Sequence, residues 1–169
     1  MTAISMHAAS APVFARMLGN MLHWIEAAKA HAEARKFAAD NYLALRLAPD
    51  MLPFTKQIQI ASDAAKGCVA RLAGQEIPKY EDNEATLDEL AERIRRTRDY
   101  VLSVPEAAFA GSEDREITIP RRVGDPLKFD GLSYLRNFAL PNFYFHATTT
   151  YALLRHAGVP LGKQDYLGG

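Results

Sequence analysis

The segment Pro141-Asn142-Phe143-Tyr144-Phe145-His146-Ala147-Thr148-Thr149-Thr150-Tyr151 lies late in an apolar-patterned run from about Leu132 to Ala157. Its spacing reads as a helix. Stepping by three and four, one face collects Leu135, Phe138, Ala139, Asn142, His146, Thr149 and Leu153, so an amide, an imidazole and a hydroxyl interrupt an apolar stripe. A buried polar group left without a partner costs about 1–3 kcal/mol, so such groups are hydrogen-bonded or bound to something. This face is the first candidate for a pocket. Pro141 is its anomaly, because an interior proline cannot bond back to the carbonyl of Asn137 and should kink the helix just before Asn142.

Upstream of this helix the hydrophobic period falls from about four to two. Glu116-Ile117-Thr118-Ile119 and Leu127-Lys128-Phe129 alternate around the turn residues Val123-Gly124-Asp125-Pro126, which predicts a short hairpin leaning on a helical body. Asp130 or Ser133 can cap the last helix, and Arg155, His156 and Gly158 suit its end. Thr86-Leu87-Asp88-Glu89 reads as a capping box opening a third helix, with Leu87, Leu90, Ile94 and Val101 inward. Its arginines, Arg93, Arg95, Arg96 and Arg98, read as partners of Glu89 and Glu92 on a solvated face. A second helix is expected from Asp50 as its cap, with Pro53 in the first turn and Gly74 at the end. Its seam is Phe54, Ile58, Ala61, Ala65, Cys68 and Leu72; Gln57 borders the seam, while Gln59 and Asp63 fall on the outer side. The first helix carries Val13, Phe14, Met17, Leu18, Met21, Leu22, Ile25 and Ala28 as a continuous stripe, starting near Ser10 and Pro12 or as early as Ser5. Between the first two, Ala34 to Leu47 is a connector with a helical turn at Asp40 to Ala44.

These four helices and the hairpin predict an all-α antiparallel bundle, with a crossover topology as the alternative, and 169 residues suit one domain spanning 1–169. Twenty basic and twenty acidic side chains cancel, which leaves no net field for a nucleic-acid backbone or an anionic membrane surface. The lone Cys68 reads as a small core hydrophobe. The first basic residue is Arg16, so a signal-peptide charge region is missing, and no apolar run is long enough to span a bilayer; a cytoplasmic protein is expected. Trp24, Phe143 and Tyr144 fall off the apolar stripes and suggest a homodimer interface. The tail residues Pro160, Leu161, Tyr166 and Leu167 are too apolar for a free end and should fold back over a groove.

Three stretches together resemble a known family. Leu52-Pro53-Phe54 to Ala65-Lys66-Gly67, Ala139 to His146, and Leu153-Leu154-Arg155-His156-Ala157-Gly158-Val159-Pro160-Leu161-Gly162-Lys163-Gln164-Asp165-Tyr166-Leu167-Gly168 look like a bacterial family of unknown function in the DinB/YfiT-like superfamily, whose members are regarded as metalloenzymes. The resemblance spans essentially the whole chain and implies a four-helix bundle with up-down-down-up connections. It also implies homodimers, and a divalent metal held by three histidines, one from the second long helix and two from the fourth. Some relatives transfer or hydrolyse small thiol and amide compounds.

Aligned on the end of the fourth helix, the last histidine of that pattern corresponds to His146, the first falls at Asn142, and Phe145 stands where the second would be. Gln57 is the best match on the second helix. If a metal bound here, His146, Asn142 and Gln57 would hold it, yet one imidazole and two amides compensate little of a divalent ion's lost hydration. Gln57, Asn142, His146 and Thr149 fit better as a hydrogen-bonding pocket for a small organic molecule, without metal or other cofactor. The leading expectation is thus a metal-free binding protein. The second is an enzyme with His146 as candidate base, metal-dependent or not, and the third a structural or interaction dimer.

Overall fold

The structure is a computed structural model and describes residues 4–168. Four long helices form the body. They are α1 (Ala11–Arg35), α2 (Phe54–Ala73), α3 (Leu87–Ser103) and α4, a continuous run made of Gly131–Tyr134, a wide turn Leu135–Ala139 and Leu140–His156. Strands β1 (Ile117–Ile119) and β2 (Leu127–Phe129) form an antiparallel hairpin between α3 and α4, and a short α5 (Lys163–Leu167) follows.

Side-chain contacts fix the helix directions. Helices α1 and α4 run together, since Phe14 meets Phe143 edge-on at 4.9 Å and, further along both, Trp24 meets Tyr151 at 5.4 Å. Helix α2 opposes α4: Gln57 near its start bonds His146, and Arg71 near its end bonds Tyr134. Helix α3 follows α2, because Arg93 bonds Asp63 and Tyr100 bonds Gln75 just past the end of α2. The order is therefore up, down, down, up. Its core contains Phe14, Leu18, Trp24, Phe54, Ile58, Leu90 and Phe143, all fully buried.

Two helices pointing the same way need a long return, and segment 74–86 supplies it. An extended chain gains about 3.3 Å per residue, enough to retrace the roughly 30 Å of a 20-residue helix. The return lies against α2 and α3 through ion pairs: Lys56 with Asp82 at 3.0 Å, and Arg93 with Asp82 at 3.0 Å and Glu84 at 2.8 Å. It also covers a face expected to be open. Gln59, expected on the outer side, is buried beneath the return and donates to Glu84 at 2.7 Å. Arg93, expected on a solvated face, is likewise buried and paired with Asp63, Asp82 and Glu84. Periodicity within one helix cannot see a loop that packs from outside.

Local signals at helix ends fare well with one exception. The capping box forms as expected: Glu89 N–H donates to Thr86 Oγ1 at 3.1 Å while Thr86 N–H donates to Glu89 Oε2 at 3.0 Å. Asp130 caps α4 by accepting from the Ser133 N–H at 2.7 Å, and Gly74 closes α2 with φ of 67°. Helix α2 departs from expectation. It starts at Phe54 behind Pro53, without a side-chain cap, and Asp50 lies in the preceding turn.

Helix α4 shows the largest departure from a regular period. Pro141 has no N–H and its ring would press on the carbonyl of Asn137 in an ordinary α-turn. The helix accommodates this upstream, by widening: the Leu140 N–H donates to the Leu135 carbonyl five residues back. The backbone at Ala139 and Leu140 stays helical, so the chain bulges over Leu135–Ala139 rather than breaking before Asn142. A bulge inserts one residue into the period. Beyond it the deepest line is Phe143, Ala147, Thr150 and Leu154, one position on from Asn142, His146, Thr149 and Leu153. Phe143, expected on the outside, is therefore core.

The hairpin and tail cap the bundle. Ile117 is buried and Phe129 packs on Tyr134 and Phe138, so the hairpin covers the α2–α4 groove at the wide turn. The tail docks on α1, where Tyr166 stacks on Trp24 at 5.5 Å and the Trp24 indole N–H donates to the Asp165 carbonyl at 2.9 Å. Trp24, also expected outside, is thereby fully buried. Leu161 is buried as well, whereas Leu167 and Pro160 stay exposed.

Candidate functional site

Helices α2 and α4 pack against each other and bring Gln57 and His146 into contact. His146 Nδ1 lies 2.7 Å from Gln57 Oε1, and Gln57 Nε2 lies 2.8 Å from the Leu52 carbonyl oxygen. A carbonyl oxygen only accepts, so the Gln57 amide nitrogen faces Leu52 and its oxygen faces His146. His146 must then donate from Nδ1. Its Nε2 is left as a lone-pair nitrogen with no hydrogen-bond partner among the described residues. Burial lowers the imidazole's affinity for a proton below its ordinary value, since the charged form would be poorly solvated in this wall. The ring is neutral at pH 7, with Phe145 packed edge-on against it at 5.1 Å.

The other two expected site residues point elsewhere. Thr149 turns its hydroxyl back to the Phe145 carbonyl at 2.7 Å, which satisfies it within its own helix. It edges an open cavity of about 400 Å3 with Leu47, Tyr144, Phe145 and Ala152. Asn142 opens into a different groove of about 180 Å3, shared with Asp63, Arg71, Tyr134 and Phe138. Both lie on the regular helix beyond the bulge, four positions apart, but Asn142 is one turn nearer the hairpin, where Arg71, Tyr134 and Phe138 line the groove. Only Gln57 and His146 meet among the four.

This geometry tests the metal that the resemblance implies. A metal-binding imidazole commonly donates one nitrogen to an oxygen and coordinates through the other, and His146 has that form. It lacks companions. The Gln57 oxygen is already committed to His146, Asn142 lies in another groove, and among the described residues no group of three His, Cys, Asp or Glu side chains is placed to hold an ion. One donor does not make a transition-metal site.

A polar cluster that sequence reasoning missed lies under the return segment. The Tyr80 ring is bracketed by Arg96 at 4.0 Å, Lys66 at 4.8 Å and Arg93 at 5.5 Å, beside a cavity of about 400 Å3. Burial alone would raise the Glu84 carboxyl, but hydrogen bonds from Arg93 and Gln59 outweigh it and hold the group below its ordinary value. The signal available in the sequence was the run of acids at Glu81, Asp82 and Glu84 beside an arginine-rich helix. Only the return path brings them together.

Comparisons with known proteins agree with the fold. No helix among the described residues is long and apolar enough to cross a membrane. No curated protein matches the chain. A crystal structure described as a DinB family member protein from Shewanella denitrificans superposes with a TM-score of 0.89 at 42% sequence identity, covering 96% of this chain and 92% of that one. The model of the family described as "Domain of unknown function (DUF1993)" matches residues 6–167. With that match over nearly its whole length and a DinB-type bundle in its structure, the chain belongs to the DUF1993 family, a DinB-like family.

Proposed function

We propose that this protein binds a small organic molecule at His146 and holds no resident metal. One observation carries the reading: the 2.7 Å bond between His146 Nδ1 and Gln57 Oε1 takes up the Gln57 oxygen, one of the three groups that would stand at ligand positions, and leaves His146 with no second donor beside it. What it leaves is a neutral acceptor, Nε2, held in a fixed orientation by Gln57 and the Leu52 carbonyl. Such a nitrogen suits a ligand that offers an O–H or N–H, and the apolar surface of Phe145 and Leu47 nearby suits a partly apolar one. A second reading, general-base catalysis by the same Nε2, is favoured by its free lone pair, which the Gln57 bond fixes in orientation. Metal-dependent hydrolysis or thiol transfer of the DinB type ranks below both.

The test is elemental analysis of protein purified without an affinity metal, together with nitrogen NMR of the His146 ring. The expected result is no stoichiometric transition metal and an Nδ1-protonated neutral imidazole. One equivalent of metal per chain, lost in His146→Ala with the fold intact, would overturn the reading.

The proposal extends to a homodimer, on a surface that keeps only Tyr144 of the three residues expected there. Trp24 and Phe143 are core residues, but Phe145 is 56% exposed and Leu47 52% exposed along the same open cavity. Paired aromatic and aliphatic groups of this kind fit an isologous contact between two copies. Light scattering at micromolar concentration should give twice the chain mass, and Phe145→Ser should return it to the monomer. A monomer mass for the unaltered protein removes this part of the proposal.

A further inference from the structure

The groove between α2 and the wide turn of α4 contains a cation with no carboxylate partner. Arg71 is half-buried, and among the described residues it makes no ion pair; its one hydrogen bond runs from Nη1 to the Tyr134 hydroxyl oxygen at 3.2 Å. Its guanidinium lies back along α2 over Gly67, where a Cβ would come within 2.6 Å of Nη1, so the missing side chain at 67 is what seats it. Tyr134 is 2% exposed and lines the same groove. Burial raises its phenol to about 12, so the group stays protonated, and because its oxygen accepts from Arg71 its own hydrogen remains to be donated. Asn142, one helical turn before His146, brings an amide to the same groove. Three donors thus share one cavity, one of them permanently charged.

The remaining walls decide what those donors would hold. Ile60, Ala64, Ile119 and Phe138 are apolar, and the hairpin contributes Ile119 as a cover over one side. The single acid, Asp63, is already neutralised by Lys66 and Arg93, each at 2.9 Å. A cavity of about 180 Å3 is the share of roughly six liquid waters, room for a ligand of about that many non-hydrogen atoms. One guanidinium balances one negative charge and would leave a dianion half compensated, and its fork matches the two oxygens of a carboxylate.

We propose that this groove binds a small monocarboxylate, the carboxylate held by Arg71, Tyr134 and Asn142 and a short apolar tail lying against Ile60, Ile119 and Phe138. The site is separate from Gln57 and His146, and the inference stands or falls apart from the reading of that pair. Wide turns of this kind recur at functional sites in helices, and here one spans Leu135–Ala139, between Tyr134 and Asn142 of the groove.

Calorimetric or NMR titration of the full chain with sodium acetate, propionate and butyrate tests it, with propionamide and inorganic phosphate as comparisons. Saturable one-to-one binding is expected for propionate or butyrate, with propionamide weaker by about tenfold or more, the effect of one charge-assisted hydrogen bond. Arg71→Gln should weaken propionate by about tenfold or more, and Tyr134→Phe and Asn142→Ala by roughly three- to tenfold each. Gly67→Ala keeps the charge but intrudes on its seat, and should also weaken binding; if Arg71→Gln does not fold, Gly67→Ala and Asn142→Ala decide. The proposal is overturned by no saturable binding of any carboxylate up to on the order of 50 mM, or by amide binding equal to carboxylate. Preference for phosphate, or unchanged affinity in the folded variants, overturns it equally.

Discussion

His146 is where chemistry and stability are coupled. Because burial depresses its folded-state proton affinity, the unfolded chain takes up a proton more readily, so stability is fully present above the ordinary value of 6.5 and is lost as pH falls through it toward the folded value. Urea unfolding should therefore show a weaker protein at about pH 5 than at about pH 7.5, and His146→Gln should flatten that difference. An equal pH dependence in the variant would show that His146 is not its source. Gly131 is a second residue with a sharp consequence. A Cβ there would sit 1.8 Å from the Ser112 carbonyl oxygen, so backbone must move; Gly131→Ala should lose about 3 kcal/mol by urea denaturation. A loss under about 1 kcal/mol would mean that the loop before the hairpin yields easily. Neither effect is visible from the residue alone. A histidine on an apolar face was legible in the sequence; its tautomer depends on a glutamine that sits 89 positions away.

Among the elements, the return segment 74–86 and helix α4 carry the most consequence. Arg93 is the tie of the return, joined to three carboxylates and to the Glu81 carbonyl at 3.0 Å. Truncating it strands Glu84, whose side chain is 9% exposed, so Arg93→Ala should cost about 3–5 kcal/mol. Hydrogen exchange should show residues 80–84 losing protection before the helices do; uniform loss over the whole chain would argue against a local tie. In α4 the wide turn links local chemistry to site geometry. Replacing Pro141 by alanine restores an N–H that can bond the Asn137 carbonyl, and removes the ring that makes an ordinary turn unfavourable there. Pro141 was the visible signal, and the expected response was a kink. What the backbone shows is a bulge just upstream of the proline, and widening by one residue relieves the proline while keeping the neighbouring backbone hydrogen-bonded.

For the molecule as a whole, the docked tail closes the bundle over Trp24. Arg16 donates to the Leu167 and Gly168 carbonyls at 3.1 Å, Asn20 donates to the Tyr166 carbonyl at 2.8 Å, and His23 meets Asp165 at 3.1 Å, so α1 holds the tail along its length. Truncation before Val159 should lower the melting temperature by on the order of 5–10 °C and shift Trp24 fluorescence to the red. An unchanged melt would show that the contacts with α1 contribute little. The number of long helices, their capping box and glycine stops, the hairpin and the inward folding of the tail were determined by the sequence itself, because each rests on interactions within a few residues or on apolar residues that must be covered. The covering of Gln59 and Arg93, the separation of Asn142 from His146 and the grouping of Arg71 with Tyr134 were decided only by tertiary structure. Those depend on a loop crossing a face from outside and on which part of α2 and the hairpin meets each turn of α4, and a fixed period along the chain carries no information about either.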